Sequence, residues 1–131
     1  MMNHRAATWF FAIGALACGL AVGLSAWLAH APMFSTGVPP MLQTAVQQQG
    51  FHALGLMGVA LALWSRGPSR WWFAAGLLMV VGLLCFSLNI YARTLWQWDT
   101  LRALVPWGGT SWMLAWVFLA VGAWRAPTAQ V

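Results

Sequence analysis

The chain alternates long apolar stretches with short polar breaks. Four stretches stand out, at residues 6–28, 42–65, 71–91 and 104–124. A helix rising 1.5 Å per residue needs about 20 apolar residues to cross a hydrocarbon core of roughly 30 Å. The first, third and fourth stretches meet that length directly. The second is strongly apolar only from residue 51 to 64, and Pro40 suits the first turn of a helix that begins earlier. The pattern predicts an all-α, four-helix transmembrane bundle, one integral membrane domain over residues 1–131. The first stretch exceeds the apolar core of a secretory signal, so it reads as a true span rather than a cleaved leader.

Composition supports this reading. Hydrophobic residues make up 62% of the chain and charged residues only 5%, against about 25% charged in soluble domains. The formal net charge of +5 would suit nucleic acid, but the six basic residues are all arginines and are scattered, so no basic stripe forms and no nucleic-acid partner is expected. Arg5, Arg66, Arg70 and Arg125 fall on one side of the four spans, and Arg93 and Arg102 on the other. The positive-inside rule then predicts cytoplasmic N and C termini, with the "SRGPSR" link on the same side. Most of the eleven tryptophans fall near the ends of the spans, where the amphipathic indole is favoured. Trp112 and Trp116 lie deeper, four apart, and read as lipid or core packing. Cys18 and Cys85 sit singly in apolar runs and read as packing residues.

Small residues mark candidate helix contacts. Ala15, Gly19 and Gly23 recur every fourth position in the first span, and Gly55 and Gly58 lie in the second. Such spacing permits close approach of helices where water cannot drive association.

Threading the orientation through the polar residues gathers His30, Gln49, His52, Ser87, Asn89 and Tyr91 toward the periplasmic side. Polar groups within a span are costly and mark candidate function. Gln49 and His52 are three apart, and Ser87 and Tyr91 four apart, so each pair shares a helix face. These spacings allow His30 and His52 to approach each other, with Gln49 and Tyr91 nearby. The plain reading is a hydrogen-bonded polar cap that fixes helix register. Its rivals are a haem or copper held by the two imidazoles, or a quinone or lipid headgroup held by His52, Gln49 and Tyr91. No metal site and no cofactor are expected; haem, copper or quinone at His30 and His52 is the alternative.

Catalysis is poorly provided for. A single acid, Asp99, excludes paired-carboxylate chemistry. Neither a G-x-S-x-G elbow nor a P-loop is present. No catalytic residue is assigned, and the chain is not expected to be an enzyme.

Four motifs resemble those of the YgdD-like family of small four-span membrane proteins, a family of unknown function with bacterial inner-membrane members and eukaryotic relatives. "SAWLAH" (25–30) is similar to the family's "GAFGAH", "QQGFH" (48–52) to "YQxxH", "CFSLNIY" (85–91) to "LFSGSLY", and "VPWGG" (105–109) to "TPxGG". The resemblance runs from about residue 19 to 125 and marks Pro106, Gly108 and Gly109 as a structural turn before the fourth span. Leu28 and Leu88 stand where the family has glycine, and Gln48 where it has tyrosine. The resemblance implies a multi-pass protein of the bacterial inner membrane with no established reaction. The expectation is a non-catalytic accessory or scaffold subunit, in contact with the bilayer and with other membrane subunits or further copies of itself.

Overall fold

A computed structural model describes residues 2–125. The chain forms four long helices: α1 (Met2–His30), α2 (Pro40–Arg66), α3 (Arg70–Trp96) and α4 (Val105–Arg125). Each breaks where its sequence demands. Between α1 and α2 runs a single 3-10 turn, Pro32–Phe34, and Gly37 takes a positive φ of 119°. Pro40 then opens α2 without forfeiting a hydrogen bond, because the first amides of a helix have no acceptor within it. Gly67, at φ 83°, ends α2, and the Ser69 side chain caps α3 by accepting from the Trp72 amide at 3.4 Å. α3 stops at Gln97, which adopts the left-handed conformation at φ 57°. There Arg93 pairs with Asp99 at 2.9 Å.

The helices run antiparallel in sequence, so the start of α1, the end of α4 and the α2–α3 link share one end. We call this the near end, and the end with the other two connections the far end. α1 packs chiefly on α2, α2 on α3, and α3 on α4. α1 touches α3 mainly toward the near end, where Phe10 fills the space over Gly76 and lies 5.9 Å from the Phe73 ring. Farther along, the two helices part.

Three of the helices are long and apolar enough to cross a membrane on their own: His4–His30, Arg70–Trp96 and Arg102–Arg125. α2 falls short because Gln47, Gln48, Gln49 and His52 lie in it. Its position explains how it tolerates them. α2 is flanked by α1 and α3, and its His52 and Gly55 meet side chains of α4.

The seam of α1 corrects one expectation. Ala15, Gly19 and Gly23 are exposed, and a Cβ at Gly19 or Gly23 would meet nothing within 4 Å. The buried positions are instead Ala7, Phe10, Gly14, Ala21 and Leu28. Ala7, Gly14, Ala21 and Leu28 form a seven-residue repeat, which keeps a seam straight along a gently supercoiled pair, whereas four-residue steps drift around the helix. Gly14 is the close approach: a Cβ there would lie 2.7 Å from Met57 Cγ and 2.8 Å from the Ala53 carbonyl oxygen. In α2, Gly55 is buried against Trp116 and Met79, but Gly58 is exposed and open.

α3 and α4 are joined by a reciprocal device. Trp72 of α3 lies in the notch at Gly122 of α4, and its indole N–H donates to the Leu119 carbonyl at 3.2 Å. Trp112 of α4 lies in the notch at Gly82 of α3 and donates to the Met79 carbonyl at 3.1 Å. In both, the glycine follows the accepting carbonyl by three residues. Side chains tilt toward the helix N-terminus, so a missing one at that position uncovers the carbonyl. Trp72 is thus a buried clasp.

α3 carries a π-helical turn at Leu83–Leu88. Gly108 is packed against it, where a Cβ would stand 2.7 Å from the Phe86 amide nitrogen. Pro106, Gly108 and Gly109 therefore do not form a separate turn. They lie in the first turns of α4, and Gly108 lets that helix approach the π turn.

Candidate functional site

The polar side chains of the spans are distributed among distinct contacts. Gln49 is the hub of the largest. Its Nε2 donates to the Ala17 carbonyl of α1 at 2.8 Å, and its Oε1 accepts from the Tyr91 hydroxyl of α3 at 2.8 Å. One amide on α2 thereby ties three helices together. One turn away, Ser87 of the π turn donates to the Ala45 carbonyl of α2 at 2.9 Å. Gln49, Tyr91 and Ser87 are all buried. Outside low-dielectric surroundings such bonds would compete with water; here the alternative is an unpaired dipole in hydrocarbon.

Asn89 shares the helix but not the cluster. Its Nδ2 donates to the Leu101 carbonyl at 2.6 Å, which fastens the α3–α4 connection. Ser111 makes a further bond between α4 and α3, donating to the Leu78 carbonyl at 2.8 Å.

His52 faces α4. Its Nδ1 lies 2.8 Å from the Gln48 carbonyl, so Nδ1 carries the proton. The ring stacks on Trp112 with centroids 3.8 Å apart and planes 5° from parallel, and Phe51 meets its edge. The residue is 5% exposed, and Nε2 has no hydrogen-bond partner among the described residues. His52 sits near the middle of α2, deeper than the mouth of the span.

His30 does not join it. His30 is exposed at the end of α1. The Ala17–Gln49 bond sets the register of α1 on α2, which leaves His30 almost four turns farther out, roughly 20 Å along the axis, while His52 lies on the near side of that bond. The two imidazoles therefore do not form a ligand pair. Among the described residues, no group of three or more His, Cys, Asp or Glu side chains is placed to hold a metal ion.

A groove of about 300 Å³ opens between α1 and α3 where they part. Leu16, Leu20 and Leu24 form one wall, Leu84 and Leu88 the other, and Gln49 and Tyr91 the floor. Of the two leucines in place of family glycines, Leu88 narrows this groove, and Leu28 is buried in the far-end core.

Sequence reasoning missed Gly14, Gly76, Gly82, Gly122, Ser111 and the two indole clasps. The heptad of α1 was a readable signal. The clasps had only a weak one, a tryptophan and a glycine on separate helices with nothing to pair them.

Four membrane-length helices, tied across their interfaces by amide, hydroxyl and indole donors, define a small multi-pass membrane protein. Comparison with known proteins narrows this further. The chain belongs to the family described as protein of unknown function (DUF423), whose pattern matches residues 21–109. It is 31% identical to the UPF0382 inner membrane protein YgdD of Escherichia coli (strain K12) over 106 residues, which cover 79% of this chain and 80% of that protein. It is 33% identical to the UPF0382 membrane protein YwdK of Bacillus subtilis (strain 168) over 118 residues, 87% of this chain and 94% of the relative. A Staphylococcus saprophyticus membrane protein of the same group, SSP2132, is 28% identical over 118 residues, with 88% and 97% covered. No solved structure matches the chain. The protein is a multi-pass protein of the bacterial inner membrane, in contact with the lipid bilayer.

Proposed function

We propose that this protein is a non-catalytic accessory or scaffold subunit of a larger inner-membrane assembly, with both termini cytoplasmic. The observation that carries the reading is the use to which Gln49 is put. The most polar buried group of the expected site is spent on holding α1, α2 and α3 in register, with both ends of its amide occupied. Ser87, Ser111, Trp72 and Trp112 are spent in the same way. Residues committed to one another support a rigid platform better than a reaction centre. The 4:2 division of arginines supports the orientation.

The test is to solubilise the protein from its native membrane in a mild detergent and weigh the particle. A particle with a second polypeptide, or further copies, in fixed stoichiometry supports the proposal. A monomer that turns over a substrate would overturn it.

A second reading rests on the groove between α1 and α3. Its apolar walls and its Gln49–Tyr91 floor suit the ring or tail of a quinone or lipid. Solvent extraction and mass spectrometry of the purified protein test it. Stoichiometric quinone or lipid that is lost when Leu20→Trp fills the groove supports this reading; equal recovery from both proteins rejects it.

A further inference from the structure

The near end of the bundle holds an arrangement that neither the fold nor the proposed role requires. The Arg70 guanidinium carbon lies 5.5 Å from the centre of the Trp71 indole, and that of Arg125 lies 5.4 Å from the same centre. The two cations are therefore at most about 11 Å apart, on one aromatic platform. Trp71 is held in place by an edge contact with Phe118 of α4, at 5.5 Å and 86°. Two helices that meet side by side thus bring two like charges together.

Among the described residues no acidic side chain neutralises them. Asp99 is the only acidic side chain, and it pairs with Arg93 at the far end. Local electrostatics sharpen the conflict. Arg70 is the first residue of α3 after its Ser69 cap, and no acidic residue lies in that first turn. A cation is disfavoured there, because the unsatisfied amides already make a helix N-terminus positive. Arg66 adds a third charge nearby, lining a hollow of about 220 Å³ with Ser65, Trp72 and Ala123. An anion beside Arg70 and Arg125 would relieve the repulsion and reverse the mismatch with the helix.

We infer that Arg70 and Arg125, which share the Trp71 indole, bind the phosphate of an anionic phospholipid. Guanidinium groups suit phosphate oxygens, to which they donate in pairs. A lipid phosphodiester fits better than free phosphate because the site borders apolar surface. Val121 and Trp124, the latter 92% exposed, line a hollow of about 270 Å³ with Arg125. An acyl chain would lie along that wall while its headgroup meets the arginines. Basic pockets between spans are suited to such headgroups.

The test uses the full chain in detergent micelles doped with equimolar phosphatidylcholine and phosphatidylglycerol, with retained lipid weighed by native mass spectrometry. The natural protein should retain phosphatidylglycerol in preference. The Arg70→Gln/Arg125→Gln double variant should lose that preference by on the order of tenfold to thirtyfold. The single variant Arg125→Gln, changed in the exposed last turn of α4, should show a smaller loss and serves if the double variant fails to fold. Arg102→Gln, a matched charge loss at the far end, should leave the preference intact. Undiminished preference in the Arg70 and Arg125 variants, or an equal loss in Arg102→Gln, would overturn the site. A thermal stabilisation by inorganic phosphate in phosphatidylcholine alone, equal to that given by phosphatidylglycerol, would overturn the assignment to lipid.

Discussion

Trp72 and Trp112 hold α3 and α4 together by exchanging the same contact in opposite directions. Each places its indole over the other helix's glycine and donates to the carbonyl three residues before it. The two halves of this device make separable contributions. Trp112→Phe keeps most of the ring and removes the donor, at an expected cost of about 0.5–1.5 kcal/mol. Gly82→Leu drives a side chain into the indole and should cost about 1–3 kcal/mol through overpacking. Thermal unfolding in nanodiscs checks the order. Equal effects would mean that the bond, not the notch, dominates.

The Gln49 hub predicts coupling across three helices. Gln49→Leu leaves the Tyr91 hydroxyl and the Ala17 carbonyl without their partner and should destabilise by about 1–2 kcal/mol. Tyr91→Phe removes only one of these bonds and should cost less. In the double variant the effects should fall short of additive, because the second substitution finds its bond already gone. Strict additivity in a double-mutant cycle would contradict the shared bond.

His52 and His4 provide a contrast between a packed and an exposed imidazole. His52→Leu removes the bond to the Gln48 carbonyl and the flat stack on Trp112. His4 is exposed in the first turns of α1. Thermal stability should drop clearly for His52→Leu and little for His4→Ala. Matching melting curves would remove His52 from the polar network.

The glycines divide into two classes that alanine separates. At Gly108 a new Cβ meets the backbone of the π turn, 2.7 Å from the Phe86 amide nitrogen, so Gly108→Ala should destabilise by about 1–3 kcal/mol. At Gly19 and Gly23 it meets nothing within 4 Å, and alanine should be neutral or stabilising by up to about 1 kcal/mol through lower backbone entropy. A large loss at Gly19 or Gly23 would show that a second molecule covers that face.

Orientation has a direct readout. In a variant without Cys18 and Cys85, a cysteine at Ser65 should react with a membrane-impermeant maleimide only after the inner membrane is opened, and one at Ser35 should react in intact spheroplasts. The reverse pattern would place the termini outside.

The comparison of these residues with the sequence shows where reading stops. Length and hydropathy mark α1, α3 and α4 because each satisfies the bilayer alone. α2 does not, and is understood only when its neighbours are present to receive Gln49 and His52. The meeting of Gln49 with Tyr91 was legible because both lie at similar depth in facing spans. The meeting of His30 with His52 was not real, because His30 lies roughly 20 Å along the axis beyond the Ala17–Gln49 bond; spacing says which residues share a face, and neither their depth nor which way the face turns. The same ambiguity hid the seam of α1. Ala15, Gly19 and Gly23 repeat every fourth position as a packing motif would, yet Ala7, Gly14, Ala21 and Leu28 hold the contact.

The π turn of α3 reconciles two fastenings that an unbroken helix would set at odds. On its near side Gly82 must meet Trp112, and beyond it Tyr91 must meet Gln49. One additional residue in a turn changes the azimuth of everything after it by about 100° relative to a regular helix. Leu83–Leu88 thus acts as a phase adjuster: it lets the distal third of α3 be aimed independently of the proximal part. The widened coil thereby points one rod at two partners, Trp112 of α4 before it and Gln49 of α2 after it.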